Sequence, residues 1–281
     1  MNILQAILLG IVQGITEFLP ISSTAHLTLA GKYLGLIDPN NPEHWTAFIA
    51  IIQLGTLAAV LIYFFSDIVA MIRALLKDSL NKTPRNGGRW TQNSRLAWQI
   101  TVGTIPVVIV GLGFKKIIEG ALTKELTTIA SSMILLALVL VWAEKVGKRN
   151  RGLDKTTWKD GFLVGIAQCF ALIPGSSRSG TTITGALFLG LNRESAARFS
   201  FLLSIPAVFA SGLLELYEAR HYYHDLGTVN IIVATLVSGI VGYFSIAFLL
   251  KYLKTHSTYL FIWYRLALGV FLWVLILTGT R

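Results

Sequence analysis

Gly10-Ile-Val-Gln13 is followed by Pro20-Ile-Ser22-Ser23, and Gly165-Ile-Ala-Gln168 is followed by Pro174-Gly-Ser176-Ser177. One single-residue gap aligns the two stretches, so the chain carries one pattern twice. Each copy is an apolar helix, Met1–Leu19 or Trp158–Ile173, that runs into a polar, proline-containing break. Each break leads to a short apolar piece, Ala25–Leu36 or Ile183–Leu191, too short to cross a hydrocarbon layer about 30 Å thick. A helix, a polar break and a short helix describe a re-entrant hairpin. Non-helical backbone at membrane depth survives only where protein or water satisfies it. Both breaks are therefore expected to be buried in protein and to face a wet cavity.

Outward from the hairpins lie six apolar stretches of membrane-spanning length: Phe48–Phe65, Leu96–Phe114, Leu126–Ala143, Phe199–Tyr217, Val229–Leu250 and Leu260–Leu277. Each hairpin is followed by three of them. The composition agrees, with 54% hydrophobic and 14% charged residues and a mean hydropathy of +0.65; a soluble domain carries about a quarter charged residues. The expected fold is an all-α integral membrane protein, a single membrane domain over residues 1–281. It is an inverted-topology repeat, each half a re-entrant helical hairpin plus three transmembrane helices, the first over about 1–143 and the second over about 158–281.

Inversion follows from parity. Three spans separate the hairpins, so these enter from opposite faces and their polar breaks meet near the middle. The segments Ser66–Arg95, Glu144–Lys159, Asn192–Arg198 and Lys251–Thr258 then share one face, and they hold two-thirds of the 24 Lys and Arg residues. The positive-inside bias makes that face cytoplasmic and turns both termini outward. The net charge of +10 thus reads as membrane topology, and no basic and aromatic stripe outside the spans suggests nucleic acid. The lone Cys169 reads as a small core residue. The N-terminus has no positive n-region with a small-residue cleavage site and reads as mature sequence.

Ionisable residues inside a membrane usually line a functional cavity. The first hairpin carries Glu17 and His26, with Gln13, Ser22, Ser23 and Thr24 alongside; the second carries Arg178 among Gly175, Ser176, Ser177, Ser179, Thr181 and Thr182. The second set suits phosphate. It is small and hydroxyl-rich, leads into a helix expected to start near Thr182 or Ile183, and offers a guanidinium fork. Gln13 and Glu17, four apart, share one helical face and are candidates to hold a divalent cation. Alternatively Glu17 orients or activates His26, or simply pairs with Arg178. His26 follows Ser23 by three residues, close enough for a base and a nucleophile to meet across a turn. Arg265, beside Trp263 and Tyr264, reads as structural or as a lipid-headgroup contact. His221 and His224, with Tyr222 and Tyr223, read as an interfacial belt, and Pro106 and Pro206 as helix kinks.

These residues resemble a known family. Gln13-xxx-Glu17 followed by Phe18-Leu-Pro20-Ile-Ser-Ser23-Thr-Ala-His26 is similar to the first motif of the bacterial undecaprenyl-diphosphate phosphatases, the bacitracin-resistance type. Pro174-Gly-Ser-Ser177-Arg178-Ser179-Gly-Thr-Thr182 is similar to their second motif. The first motif often begins with Glu where this chain has Gln13. The resemblance implies an enzyme that converts undecaprenyl diphosphate to undecaprenyl phosphate and inorganic phosphate in the bacterial inner membrane. It implies dependence on a divalent metal, Mg2+ or Ca2+, an inverted-repeat fold and a possible homodimer. Glu17, Ser23, His26, Ser177, Arg178, Ser179 and Thr182 carry over as site residues. The expected chemistry is metal-assisted phosphoryl transfer, with Ser23 attacking and His26 taking its proton, or with His26 itself as nucleophile. The rival from another class is a transporter or flippase of a lipid phosphate or anion, since broken helices meeting mid-membrane also serve transport.

Overall fold

The computed structural model describes residues 1–38, 42–80, 90–114, 125–218 and 227–279. The first hairpin is α1 (Ile3–Phe18) and α2 (Ser23–Tyr33). A capping box between Asn2 and Gln5 starts α1, each side chain taking the other's backbone amide. Then come α3 (Pro42–Tyr63), α4 (Phe65–Leu80), α5 (Gln92–Gly113) and α6 (Leu126–Val146). The second hairpin is α7 (Trp158–Cys169), one 3-10 turn over Phe170–Leu172, and α8 (Arg178–Phe188). It leads to α9 (Arg193–Glu218), α10 (Thr228–Leu253) and α11 (Tyr259–Leu277). Six of these helices, α3, α5, α6, α9, α10 and α11, are long and apolar enough to cross a membrane, and they coincide with the six expected spans. The protein is an all-α, multi-pass membrane protein.

Three details differ from the sequence reading. Ser66–Leu80, expected to belong to a cytoplasmic connection, falls in the helix α4 (Phe65–Leu80), packed along α5. Its apolar residues recur at helical spacing but are broken by Asp67, Arg73, Lys77 and Asp78, so no membrane-length apolar run marks it. Asp78 fixes its far end by accepting from Ser94 Oγ and from the amide and hydroxyl of Thr91, bonds that hold its carboxyl below the usual carboxylate range. Second, α8 begins at Arg178 rather than near Thr182, because Ser177 turns the chain with a positive φ of 67° and caps the Gly180 amide. Third, the hairpins need no gap. Ser22 caps α2 as Ser177 caps α8, with φ 77° and the same spacing from Gln13 as Ser177 has from Gln168.

The helices interlock across the halves. α1 lies along α10, and α7 lies along α5, so each hairpin's longer helix packs on the middle span of the other half. Glycine makes these crossings close. A Cβ on Gly10 would strike the Ala234 carbonyl, one on Gly14 the backbone of Ser238 and Gly242, and one on Gly165 the backbone of Gly103. The largest core cluster gathers Phe18, Phe64, Phe199, Phe201 and Ile183.

Described residues of all four basic segments meet at one end of the bundle. Glu144, only 2% exposed, accepts from Arg193 Nη2 at 2.7 Å, Arg149 Nη1 at 2.9 Å and Thr258 Oγ1 at 2.7 Å. Arg198 pairs with Asp67 at 3.0 Å and Lys254 with Glu194 at 3.5 Å. The second hairpin starts at this end, where Arg151 pairs with Asp160 at 2.7 Å. The first hairpin starts elsewhere, with the Met1 carbonyl accepting from Asn230 Nδ2 at the start of α10. His221, Tyr222, Tyr223 and His224 lie outside the described residues.

Candidate active site

The two hairpin breaks face each other across Glu17. This residue closes α1 and is 6% exposed. Its Oε1 accepts from Arg178 Nη2 at 2.8 Å; its Oε2 accepts from Ser23 Oγ at 2.8 Å and from Gln13 Nε2 at 3.0 Å. Gln13 reaches it because residues four apart stack on one helical face. Ser23 reaches it because the chain reverses sharply at Ser22, whose left-handed backbone is strained for a residue with a Cβ. A second tie joins the halves, from Ser179 Oγ to the Leu19 carbonyl at 3.1 Å.

The break of the second hairpin is built from behind. Gly175 has a φ of 91°, and a Cβ there would strike Ser132 and the Ile129 carbonyl, so only glycine fits. Ser132 Oγ donates to the Pro174 carbonyl at 2.5 Å. Arg265, fully buried on α11, donates from Nη2 to the Ser176 carbonyl at 2.9 Å and the Gly175 carbonyl at 3.4 Å. It is a structural residue that braces this turn rather than a headgroup contact, since no part of it reaches the surface.

A cavity of about 440 Å3 opens between the breaks, within the roughly 300–1,000 Å3 usual for small-ligand sites. Glu17, Ser22, Ser23, Gly175, Ser177 and Arg178 form its polar side, and α5 and α9 supply apolar walls such as Val108, Leu112 and Leu214. Arg178 Nη1 and Gln13 Oε1 are among nine buried side-chain atoms of the described residues with no hydrogen-bond partner, and Arg265 Nε and Nη1 behind the turn are two more of them. Leaving such groups unsatisfied costs about 1–3 kcal/mol each, a cost that recurs at sites meant for ligands.

Not every expected site residue faces this cavity. Thr182 lies inside α8 because the helix starts a turn early, and its hydroxyl bonds to the Arg178 carbonyl at 2.8 Å and to Ser200 Oγ at 2.5 Å. Ser176 is fully buried behind the turn, and Ser179 spends its hydroxyl on Leu19 and Ser177. His26 and Ser23 take different hydrogen-bond partners. Its Nδ1–H donates to the Ser22 carbonyl at 2.6 Å, which leaves Nε2 as the acceptor for the Tyr264 hydroxyl at 2.6 Å. The acceptor for the Ser23 proton is Glu17. Sequence reasoning had not placed Tyr264, whose only signal was its position next to Arg265. Nor did it count Gln168 among site residues, although this residue lines the cavity and is the repeat partner of Gln13.

Comparison with known proteins covers nearly the whole chain. Residues 6–271 match a family model described as bacitracin resistance protein BacA. The chain is 50% identical over 280 residues to the undecaprenyl-diphosphatase of Syntrophobacter fumaroxidans, covering 99% of both chains. It is 54% identical over 288 aligned positions to that of Chloroherpeton thalassium, covering 99% of this chain and 98% of the relative. It is 52% identical over 290 positions to that of Chlorobaculum tepidum, with 99% of both covered.

Proposed function

This chain belongs to the bacitracin resistance protein BacA family, and on that basis we propose that it is an undecaprenyl-diphosphatase. It hydrolyses undecaprenyl diphosphate to undecaprenyl phosphate and inorganic phosphate, returning the lipid carrier to cell-wall synthesis. The observation that carries this reading is the Ser23–Glu17–Arg178 set, a hydroxyl, its proton acceptor and a guanidinium joined by 2.8 Å bonds at the head of an apolar-walled cavity.

Ser23 Oγ attacks the terminal phosphorus while Glu17 Oε2 takes its proton, and undecaprenyl phosphate leaves with the bridging oxygen. Water then attacks the phosphoserine, Glu17 returns the proton to Oγ, and the water's protons leave with inorganic phosphate. Arg178 holds Glu17 with one nitrogen, which leaves Nη1 for a phosphate oxygen. Charge stabilisation of this kind does most of the work in phosphoryl transfer. His26 as nucleophile is the weaker reading, because the Tyr264 hydroxyl occupies its Nε2.

The same reading has Glu17 and Gln13 hold a divalent cation, Mg2+ or Ca2+. Gln13 Oε1 is a buried oxygen without a partner, and Glu17 supplies the carboxylate beside it. Such ions are commonly held by one or two carboxylates together with substrate phosphates. When bound, the ion would neutralise phosphate charge. The isoprenoid chain lies among the spans. A second, almost wholly apolar cavity of about 470 Å3 between α4, α5 and α9 shares Val108 with the first and offers it a path.

The test is phosphate release from undecaprenyl diphosphate by purified protein, with and without chelator. Release that stops on chelation and returns with Mg2+ or Ca2+ is expected; no release in any condition would refute the activity.

The reading extends to a bacterial inner membrane, a single domain built as an inverted repeat, both termini outward, and a possible homodimer. The positive-inside bias supports the orientation. On a Cys169→Ala background, Asn2→Cys and Asn150→Cys should react with an impermeant thiol reagent from opposite sides. Reaction from the same side would overturn the inverted arrangement.

A further inference from the structure

Gln168 is a buried polar side chain in the cavity wall that the steps above do not use. It lies one residue before the end of α7, is 1% exposed and lines the cavity between the breaks. Neither its Nε2 nor its Oε1 has a hydrogen-bond partner among the described residues. Its repeat partner shows what such a group does when provided for: Gln13 donates Nε2 to Glu17. At the position matching Glu17 the second hairpin has Leu172, which accepts nothing. The repeat has therefore kept the amide and removed its acceptor. A buried amide in that state destabilises the folded protein unless a ligand supplies the missing partner.

We propose that Gln168 is a substrate-binding residue whose Nε2 donates to an oxygen of the bound diphosphate. This inference rests on the phosphatase reading above. A neutral donor suits the place. It adds a directional bond to the diphosphate without adding a further cation to hold the phosphate product.

The experiment uses full-length protein in detergent and measures kcat, KM and thermal unfolding for Gln168→Leu and Gln168→Glu. Gln168→Leu should raise KM for undecaprenyl diphosphate roughly ten- to hundredfold, as loss of a hydrogen bond to a charged group does. Its unfolding temperature should stay level or rise, because an unsatisfied amide is gone. Gln168→Glu keeps the shape but loses the donor and places negative charge against phosphate, so its KM should rise at least as far. It also stands alone if the leucine variant does not fold. An unchanged KM in either folded variant overturns the inference, and so does a fall in unfolding temperature with KM intact, the mark of a purely structural side chain. Failure of wild-type protein to release phosphate would instead refute the phosphatase reading itself.

Discussion

Glu17→Gln protein should release phosphate from undecaprenyl diphosphate at least about 10³-fold more slowly than wild type. Three donors converge on this carboxylate, from Arg178, Ser23 and Gln13. A carboxamide turns an NH2 group toward one of them, so at least one donor meets another donor. Ser23 loses the group that takes its proton, and Arg178 is left as a buried cation without its counter-charge, a change that typically costs about 3–5 kcal/mol when a buried pair is broken. Excess divalent ion should recover little, because Gln13 offers only a neutral oxygen. The complementary variant, Gln13→Glu, should stay active and need less Mg2+ for half-maximal rate, since a second carboxylate strengthens a hard-cation site. An unaltered metal requirement in Gln13→Glu would count against coordination by this helical face. Full activity in Glu17→Gln would defeat both the proton-acceptor and the metal role.

Arg178→Lys should lower kcat/KM by about 10²-fold or more, although charge is kept. The guanidinium spans two tasks at once, Nη2 on Glu17 and Nη1 free toward the cavity. An ammonium is a point donor on a flexible stem and can serve the carboxylate or the phosphate, not both in fixed geometry. Near-wild-type turnover by Arg178→Lys would mean that phosphate is held elsewhere. Arg178→Ala should be worse still, and guanidinium ions added in solution should recover part of the loss for Ala but not for Lys.

Much of this arrangement was legible beforehand because its signals are local. Six apolar runs have membrane length whatever surrounds them, and parity then puts the four basic segments together, as Glu144 and its partners show. The repeated Gly-Ile-x-Gln and Pro-x-Ser-Ser runs located both breaks. What stayed hidden depends on tertiary geometry. The gapless alignment of the two breaks rests on the backbone at Ser22 and Ser177, which no residue type announces. Proximity in sequence joined Ser23 to His26, yet helix α2 turns the imidazole to Tyr264, 238 residues away, and gives the serine to Glu17. Arg265 looked like an edge residue because its neighbours Trp263 and Tyr264 are aromatic; only the packing of α11 shows that it braces Gly175 and Ser176. Helix α4 escaped because its four charges interrupt an otherwise helical apolar spacing.

The glycine crossings bear on what kind of machine this is. Alternating access requires one half of a transporter to rock against the other about a central site. Here each hairpin is seated on the opposite half's middle span, at Gly10 and Gly14 on α10, against its backbone and the Val237 and Val241 side chains, and at Gly165 on the Gly103 backbone. Rocking would have to prise apart backbone contacts on both sides at once, and would pull Arg178 from Glu17 as it did so. Two halves that clasp each other in this way favour a stationary charge centre over a moving gate. In such a frame a lipid would come to the site sideways and leave the same way, with no rocking of the halves.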